Sequence, residues 1–249
     1  PSVSAKQQSP ACRGFFVFKI TSYLQAVTKK ERIVLFILAS LNFTHILDFI
    51  IMMPLSNYLI PFFKITAFQF SLLVASYSIS AFISGLVISL VIDRFDRKRS
   101  LLFAYVGFLI GTICCGFAYS FELLLAARIL AGLFGGIIGA QVLAIVADLF
   151  SYQRRGRAMA AVMSAFAVAS IIGVPISLYL TNLFNYDWHV PFILVGTLGV
   201  FFVPLIIKFL PSIKGHIVTR DKSESPFKAL ITVCIVPAQR TALIFACLL

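Results

Sequence analysis

Charge is what this 249-residue sequence has least of: charged residues make up 12% of it, about half the share in an ordinary soluble domain, and only nine are acidic. A water-soluble enzyme fits that composition poorly. Histidine is scarcer still: His45, His189 and His216 cluster neither with one another nor with carboxylates, so no metal-ligating set is expected. No G-x-x-x-x-G-K-S/T phosphate loop occurs, which points away from ATP as an energy source, and no cofactor is assigned. An intramembrane protease would need a serine in a G-x-S-G setting with a histidine on a neighbouring span, and that run is missing too. Cys12, Cys114, Cys115, Cys234 and Cys247 show no metal spacing and read as free thiols.

What the sequence has in abundance is apolar length. Hydrophobic residues make up 60% of the chain and the mean hydropathy is +1.00. A bilayer core needs about 20 apolar helical residues. Six runs meet that, at Ile33–Leu55, Ala67–Ile92, Ser100–Ser120, Leu124–Ala147, Ala158–Asn182 and Val190–Ile207, and another opens near Thr241. Basic residues gather in alternate loops: six precede the first run, then come Arg94, Arg97, Lys98 and Arg99, then Arg154, Arg155 and Arg157, then those from Lys208 to Arg240. The opposite loops hold only Lys64. Positive loops stay inside, so the amino terminus is expected in the cytoplasm, and topology rather than nucleic acid accounts for the net charge of +12. The expected organisation is a cytoplasmic segment over 1–32, a six-helix unit over 33–210, a basic cytoplasmic linker over 211–240 and the start of a second unit over 241–249. The absence of an initiator Met and the apolar run reaching Leu249 read as a fragment.

Helices in lipid associate where small side chains let backbones approach. Such stripes occur at Ala127, Ala131, Gly135 and Gly139 in span 4, at Ala161, Ala165, Ala169, Gly173 and Ser177 in span 5, and at Ala81, Gly85 and Ser89 in span 2. Two charges lie well inside the spans, Asp48 roughly 10 Å below Leu55 and Arg128 roughly 6 Å into span 4. Each costs a few kcal/mol in lipid and is expected to face a protein interior or a wet cavity. On span 1 a helical step puts Ser40, Thr44, His45 and Asp48 within an arc of about 140°, with Asn42 at its edge. A carboxylate beside an imidazole and a guanidinium can take up and release a proton. A static ion pair, and a His45 that is merely packed, fit the same residues. Glu122 and Asp187 are expected to be solvated loop acids.

Several segments resemble one transporter family. Asp93-Arg94-Phe95-Asp96-Arg97-Lys98-Arg99 is similar to the G-x-L-x-D-R-x-G-R-K/R signature between helices 2 and 3 of the major facilitator superfamily, with Ser89 and Asp96 in place of its glycines. Arg128-Ile129-Leu130-Ala131-Gly132 resembles its R-x-x-x-G signature, and Asp148 followed by Arg154-Arg155-Gly156-Arg157 resembles its loop after helix 4. Gly173-Val174-Pro175 is similar to the G-P motif of its exporters, Asp48 through Pro54-Leu55 to the D…P-L pattern of drug exporters, and Trp188-His189-Val190-Pro191-Phe192 to the opening of its helix 6.

The resemblance implies an all-α integral membrane protein: an N-terminal six-helix bundle of 3+3 inverted repeats, plus the start of a seventh helix, in the cell (inner) membrane. It implies a missing C-terminal six-helix half, with substrate bound between the halves. The function implied is proton-coupled efflux of a drug-like compound or sugar by alternating access. An uptake symporter or uniporter of the same fold, or a half-bundle that does not transport, are the alternatives. Implied partners are the lipid bilayer, a small-molecule substrate and a proton. Asp48, Arg128, His45, Thr44 and Asn42 would line the proton-coupling cavity. Asp93, Arg94, Arg97, Lys98, Asp148 and Arg155 would form a conformational latch, against the simpler possibility that these charges only set topology. Gly173 and Pro175 would limit leak through helix 5, unless they are ordinary membrane-helix residues.

Overall fold

A computed structural model describes residues 28–91, 96–184 and 187–210. The described elements are α1 (Lys29–Ile50), α2 (Ser56–Phe63), α3 (Ala67–Val91), α4 (Arg97–Gly116), α5 (Phe121–Leu149), α6 (Tyr152–Val168), a π-helical turn (Ala169–Gly173), α7 (Val174–Leu183) and α8 (His189–Phe209). Among the described residues, six continuous helices, counting α6 through α7 as one, are long and apolar enough to cross a membrane.

Local chemistry sets the helix starts. Thr28 and Glu31 form a reciprocal capping box on α1, and Thr66 and Gln69 form the same device on α3. The Asp96 and Ser120 side chains accept backbone N–H groups of Lys98 and Leu123 at the starts of α4 and α5. Within the spans, serine hydroxyls donate to carbonyls of the preceding turn, as Ser71 does to Ala67 and Ser80 to Tyr77, which lets small polar residues sit in an apolar helix.

The expected first span, Ile33–Leu55, is helical only as far as Ile50. Pro54 has no N–H for the Ile50 carbonyl and its ring crowds that group, so α1 ends at Ile50 and a tight turn leads into the short α2. Two later helices run past their apolar runs, α5 starting at Phe121 and α6 at Tyr152 and taking in Glu122, Arg154, Arg155 and Arg157, whereas α4 stops at Gly116, short of the expected Ser120. Glu122 is therefore a first-turn helix residue, where the helix dipole favours an acid, and not a loop acid.

The packing has an internal symmetry. The principal interfaces join α3 to α5 and α1 to α6, α4 to α5 and α1 to α8, and α4 to α8. Exchanging α1 with α5, α3 with α6–α7, and α4 with α8 turns this set into itself, which is the pattern of two three-helix repeats. Since each repeat has an odd number of crossings, the second is inverted relative to the first.

Backbones approach through glycine, but not along the expected stripe of α5. A Cβ at Gly132 would collide with Ser80 Oγ and the Tyr77 carbonyl, and one at Gly136 with the Ala81 carbonyl and Ser84 Oγ, so these two glycines form the seam with α3. Ala131 meets Gly111 of α4, while Gly139 faces nothing within 4 Å. On the fifth span the stripe does turn inward: Ala165, Ala169, Gly173 and Ser177 are buried, though Ala161 is exposed.

Candidate functional site

Asp48 sits two residues before α1 ends and Arg128 lies in the second turn of α5, and the two side chains meet in the middle of the bundle. Arg128 Nη1 donates to Asp48 Oδ2 at 2.8 Å and to the Asp48 carbonyl at 3.3 Å. Both side chains are 0% exposed. Such a pair is held in a low-dielectric setting, where its attraction is strong and the desolvation it has undergone is large.

Around the pair stand side chains from α3, α4 and α1 itself. The Tyr77 ring of α3 lies 4.4 Å from the Arg128 guanidinium carbon. Thr112 and Cys115 of α4 lie close to the two charges. His45 packs between Tyr77 and Phe108, with ring centroids 6.3 and 6.0 Å away. Several buried polar atoms of this cluster have no hydrogen-bond partner among the described residues: Asp48 Oδ1, Arg128 Nε and Nη2, Tyr77 Oη, Thr112 Oγ1 and His45 Nδ1. Buried polar groups in proteins are normally satisfied, so these atoms mark the polar centre of an otherwise apolar bundle.

Of the five expected cavity residues, the structure brings together Asp48, Arg128 and His45. Thr44 bonds instead to Tyr105 Oη at 3.1 Å and to its own helix, and Asn42 Nδ2 donates to the Val162 carbonyl of α6 at 3.2 Å. Both are helix-to-helix fasteners rather than cavity-lining groups, because the polar arc of α1 is wide enough to face three neighbouring helices at once. The sequence reading missed Tyr77, Thr112 and Cys115. A groove of about 250 Å³ between α1, α6 and α8, lined by Phe36, Phe43 and Phe202, is separate and apolar. Its hydroxyls, Ser40 and Ser164, donate to the carbonyls of Phe36 and Ala161 in their own helices.

At the end where α4 begins and α5 finishes, the basic residues reach acids and helix ends. Arg97 Nε bonds Asp148 Oδ2 at 2.9 Å, joining α4 to α5. Lys98 Nζ donates to the Ile207 carbonyl at 2.7 Å and Arg155 Nη2 to the Ala147 carbonyl at 2.6 Å, two groups in the last turns of α8 and α5. Arg154 pairs with Glu31, at 3.2 Å from Nη2 to Oε1, and ties α6 to α1. Asp93 and Arg94 lie outside the described residues.

On the fifth span, Pro175 cannot donate to the Ile171 carbonyl, and the ladder widens into the π turn, closed by the Val174 N–H on the Ala169 carbonyl. Gly173 makes this turn a close crossing, since a Cβ there would lie 2.8 Å from Leu47 Cδ1, next to Asp48. At the other end of the bundle Asp187 is no free acid: it accepts the His189 N–H at 2.9 Å and pairs with the His189 ring. Cys114 and Cys115 are free thiols, and the other three cysteines lie outside the described residues.

Comparison with known proteins fits this geometry. Over 139 residues the chain is 28% identical to multidrug resistance protein 3 of Bacillus subtilis, a match covering 54% of this chain and 27% of that protein. It is 33% identical over 102 residues to a vacuolar membrane amino acid uptake transporter of Schizosaccharomyces pombe, covering 41% of this chain and 17% of that one. Among solved structures, a bacterial homolog of the human lysosomal transporter Spinster, inward-facing and unoccupied, superposes with a TM-score of 0.65 at 18% identity, covering 82% of this chain and 47% of the other. The peptide transporter POT in complex with sulfate gives 0.63 at 15% identity, covering 88% and 49%. The chain thus spans about half the length of these solved structures and less of the curated relatives. A family model described as Major Facilitator Superfamily matches residues 37–249, and the chain belongs to that family of membrane transporters.

Proposed function

We propose that this chain supplies the first six-helix half of a proton-coupled secondary transporter that exports a small molecule by alternating access. The observation that carries the reading is the fully buried Asp48–Arg128 pair, joined at 2.8 Å between the first and fourth spans. A buried carboxylate with one oxygen engaged and the other unpartnered is a group whose charge can be switched, and switching it leaves a guanidinium in need of a new partner. That coupling between protonation and helix contacts is what an exchanger requires. Arg97, Asp148, Lys98 and Arg155 then act as the latch that closes the cytoplasmic end, and the Gly173–Pro175 turn lets the fifth span bend against α1. The amino terminus lies in the cytoplasm, and the protein sits in the cell's inner membrane.

The similarity to a multidrug resistance protein supports export of a drug-like compound. The similarity to an amino acid uptake transporter favours a second reading, proton-coupled movement in the opposite direction on the same site. Reconstitution of the full-length protein into proteoliposomes tests both. With an imposed pH gradient and a panel of lipophilic cations, sugars and amino acids, wild type concentrates a compound against its gradient. Asp48→Asn inserts normally and loses the gradient-driven flux. Undiminished flux in that variant refutes the assignment of the proton to Asp48.

A further inference from the structure

The R-x-x-x-G run of α5 has a geometric meaning that centres on a residue of another helix. Arg128, Gly132 and Gly135 fall on one face of α5, and Tyr77 of α3 lies along that face. Its backbone rests on Gly132, where a Cβ would stand 2.9 Å from Tyr77 Cα and closer still to its carbonyl. Its hydroxyl reaches Gly135, where a Cβ would stand 2.6 Å from Tyr77 Oη and 3.0 Å from His45 Nε2. Its ring passes 4.4 Å from the guanidinium carbon of Arg128. Two glycines thus clear a bed in which one aromatic ring is laid against one cation.

We propose that Tyr77 is the positioning residue of the buried charge pair: its ring holds the Arg128 guanidinium against Asp48 and remains its counter-surface when Asp48 is neutral. The titratable and charged groups facing the guanidinium among the described residues are Asp48 and His45 of α1, Tyr77 of α3 and Cys115 of α4. Only Asp48 among them is an anion, and Arg128 Nε and Nη2 have no oxygen or nitrogen partner. Neutralising Asp48 therefore strands a fully buried cation unless something else faces it. A ring face supplies an attraction that grows as water is excluded. The inference deepens the proton-exchange reading and rests on it for its transport consequences, though not for the contact itself.

Two measurements on the full-length protein separate the two. The first is a thermal-unfolding cycle in detergent with Tyr77→Leu, Tyr77→Phe and Asp48→Asn. Tyr77→Leu lowers the midpoint by about 2 °C or more beyond its wild-type effect when Asp48 is already Asn, while Tyr77→Phe, which keeps the ring, behaves alike in both backgrounds. An equal drop for the leucine change in both backgrounds overturns the proposal, whatever the coupling ion. The second is the pH profile of gradient-driven flux. Tyr77→Leu moves it to more acid pH by about half a unit or more, because the neutral state of Asp48 has lost its support, and Tyr77→Phe restores the wild-type profile. A leucine profile that coincides with that of phenylalanine, or moves toward alkaline pH, refutes it. If the leucine variant does not fold, Tyr77→Met, unbranched and able to adapt its shape but without a ring, takes its place in both tests. A wild type without gradient-driven flux defeats the exchange reading alone and leaves the cycle to judge Tyr77.

Discussion

Two ion pairs of nearly the same length hold different parts of this bundle, Asp48–Arg128 at 2.8 Å and Arg97–Asp148 at 2.9 Å. Their surroundings differ completely. The first is 0% exposed on both sides, with unpartnered polar atoms around it, whereas Asp148 in the second is 26% exposed and stands among helix ends that offer other carbonyls to neighbouring cations. Length says little about what such a pair does. Water can replace a partner at the outer pair, so that pair fastens helix ends and can be unfastened. At the inner pair nothing but another buried group can replace a partner, so a change of charge must be answered by a change of structure.

The largest effect tests that distinction directly. Asp48→Ala leaves Arg128 as an uncompensated buried charge and is expected to destabilise the bundle by about 3 to 5 kcal/mol, read as thermal unfolding of the purified protein. The double change Asp48→Leu with Arg128→Met removes both charges and should recover most of the loss, while abolishing any gradient-driven flux. A double variant no more stable than Asp48→Ala would mean that the pair is structural cement. At the other end, Arg97→Ala should cost about 1 to 2 kcal/mol, with a loss that shrinks as salt rises toward 0.5 M, since one partner reaches solvent. Salt independence there would erase the contrast between the two pairs. Arg154→Ala, which removes a pair with Glu31 in which both side chains reach solvent, should cost only about 0.5 kcal/mol.

How much of this was legible in the sequence depends on whether one helix or two had to be known. The six spans, the approach of Asp48 to Arg128 and the involvement of Arg97 with Asp148 follow from residues whose burial or placement costs energy wherever they go. Pro54 lies inside an unbroken apolar run, so hydropathy alone does not mark the end of α1 at Ile50. The seam of α5 failed for a different reason. Glycine and alanine at four-residue spacing occur there in two overlapping series, and only the position of α3 selects Gly132 and Gly136 for the backbone seam, while Gly135 clears the Tyr77 hydroxyl and Gly139 faces nothing within 4 Å. Tyr77 escaped for the same cause, since nothing in α3 alone says that its ring will face a cation from α5. Asn42 and Thr44 share a polar face by helical angle, which is legible in sequence, whereas the number of helices packed around α1 is not.

The smallest effect belongs to a fourth pair, the most exposed of the set, at the opposite end of the bundle from Arg97. Asp187 and His189 open α8 much as Asp96 and Lys98 open α4, each acid accepting the N–H two residues on, at 2.9 and 3.1 Å. Burial alone would raise the Asp187 carboxyl, but the hydrogen bonds from the His189 backbone and ring, with the ring's charge, outweigh it and hold the group below its ordinary value. A carboxyl depressed in the folded state contributes stability above its unfolded pKa, about 3.9, and that contribution is lost as pH falls through the lower folded value. With the Asp187 side chain 48% exposed, solvent screening keeps the contribution to about a few tenths of a kcal/mol. Asp187→Asn keeps an acceptor for the helix start and removes only the charge. Its unfolding midpoint should therefore fall slightly below wild type at pH 7 and converge with it below about pH 4. A gap that persists undiminished in acid would show that the Asp187 side chain acts through packing and not through its charge.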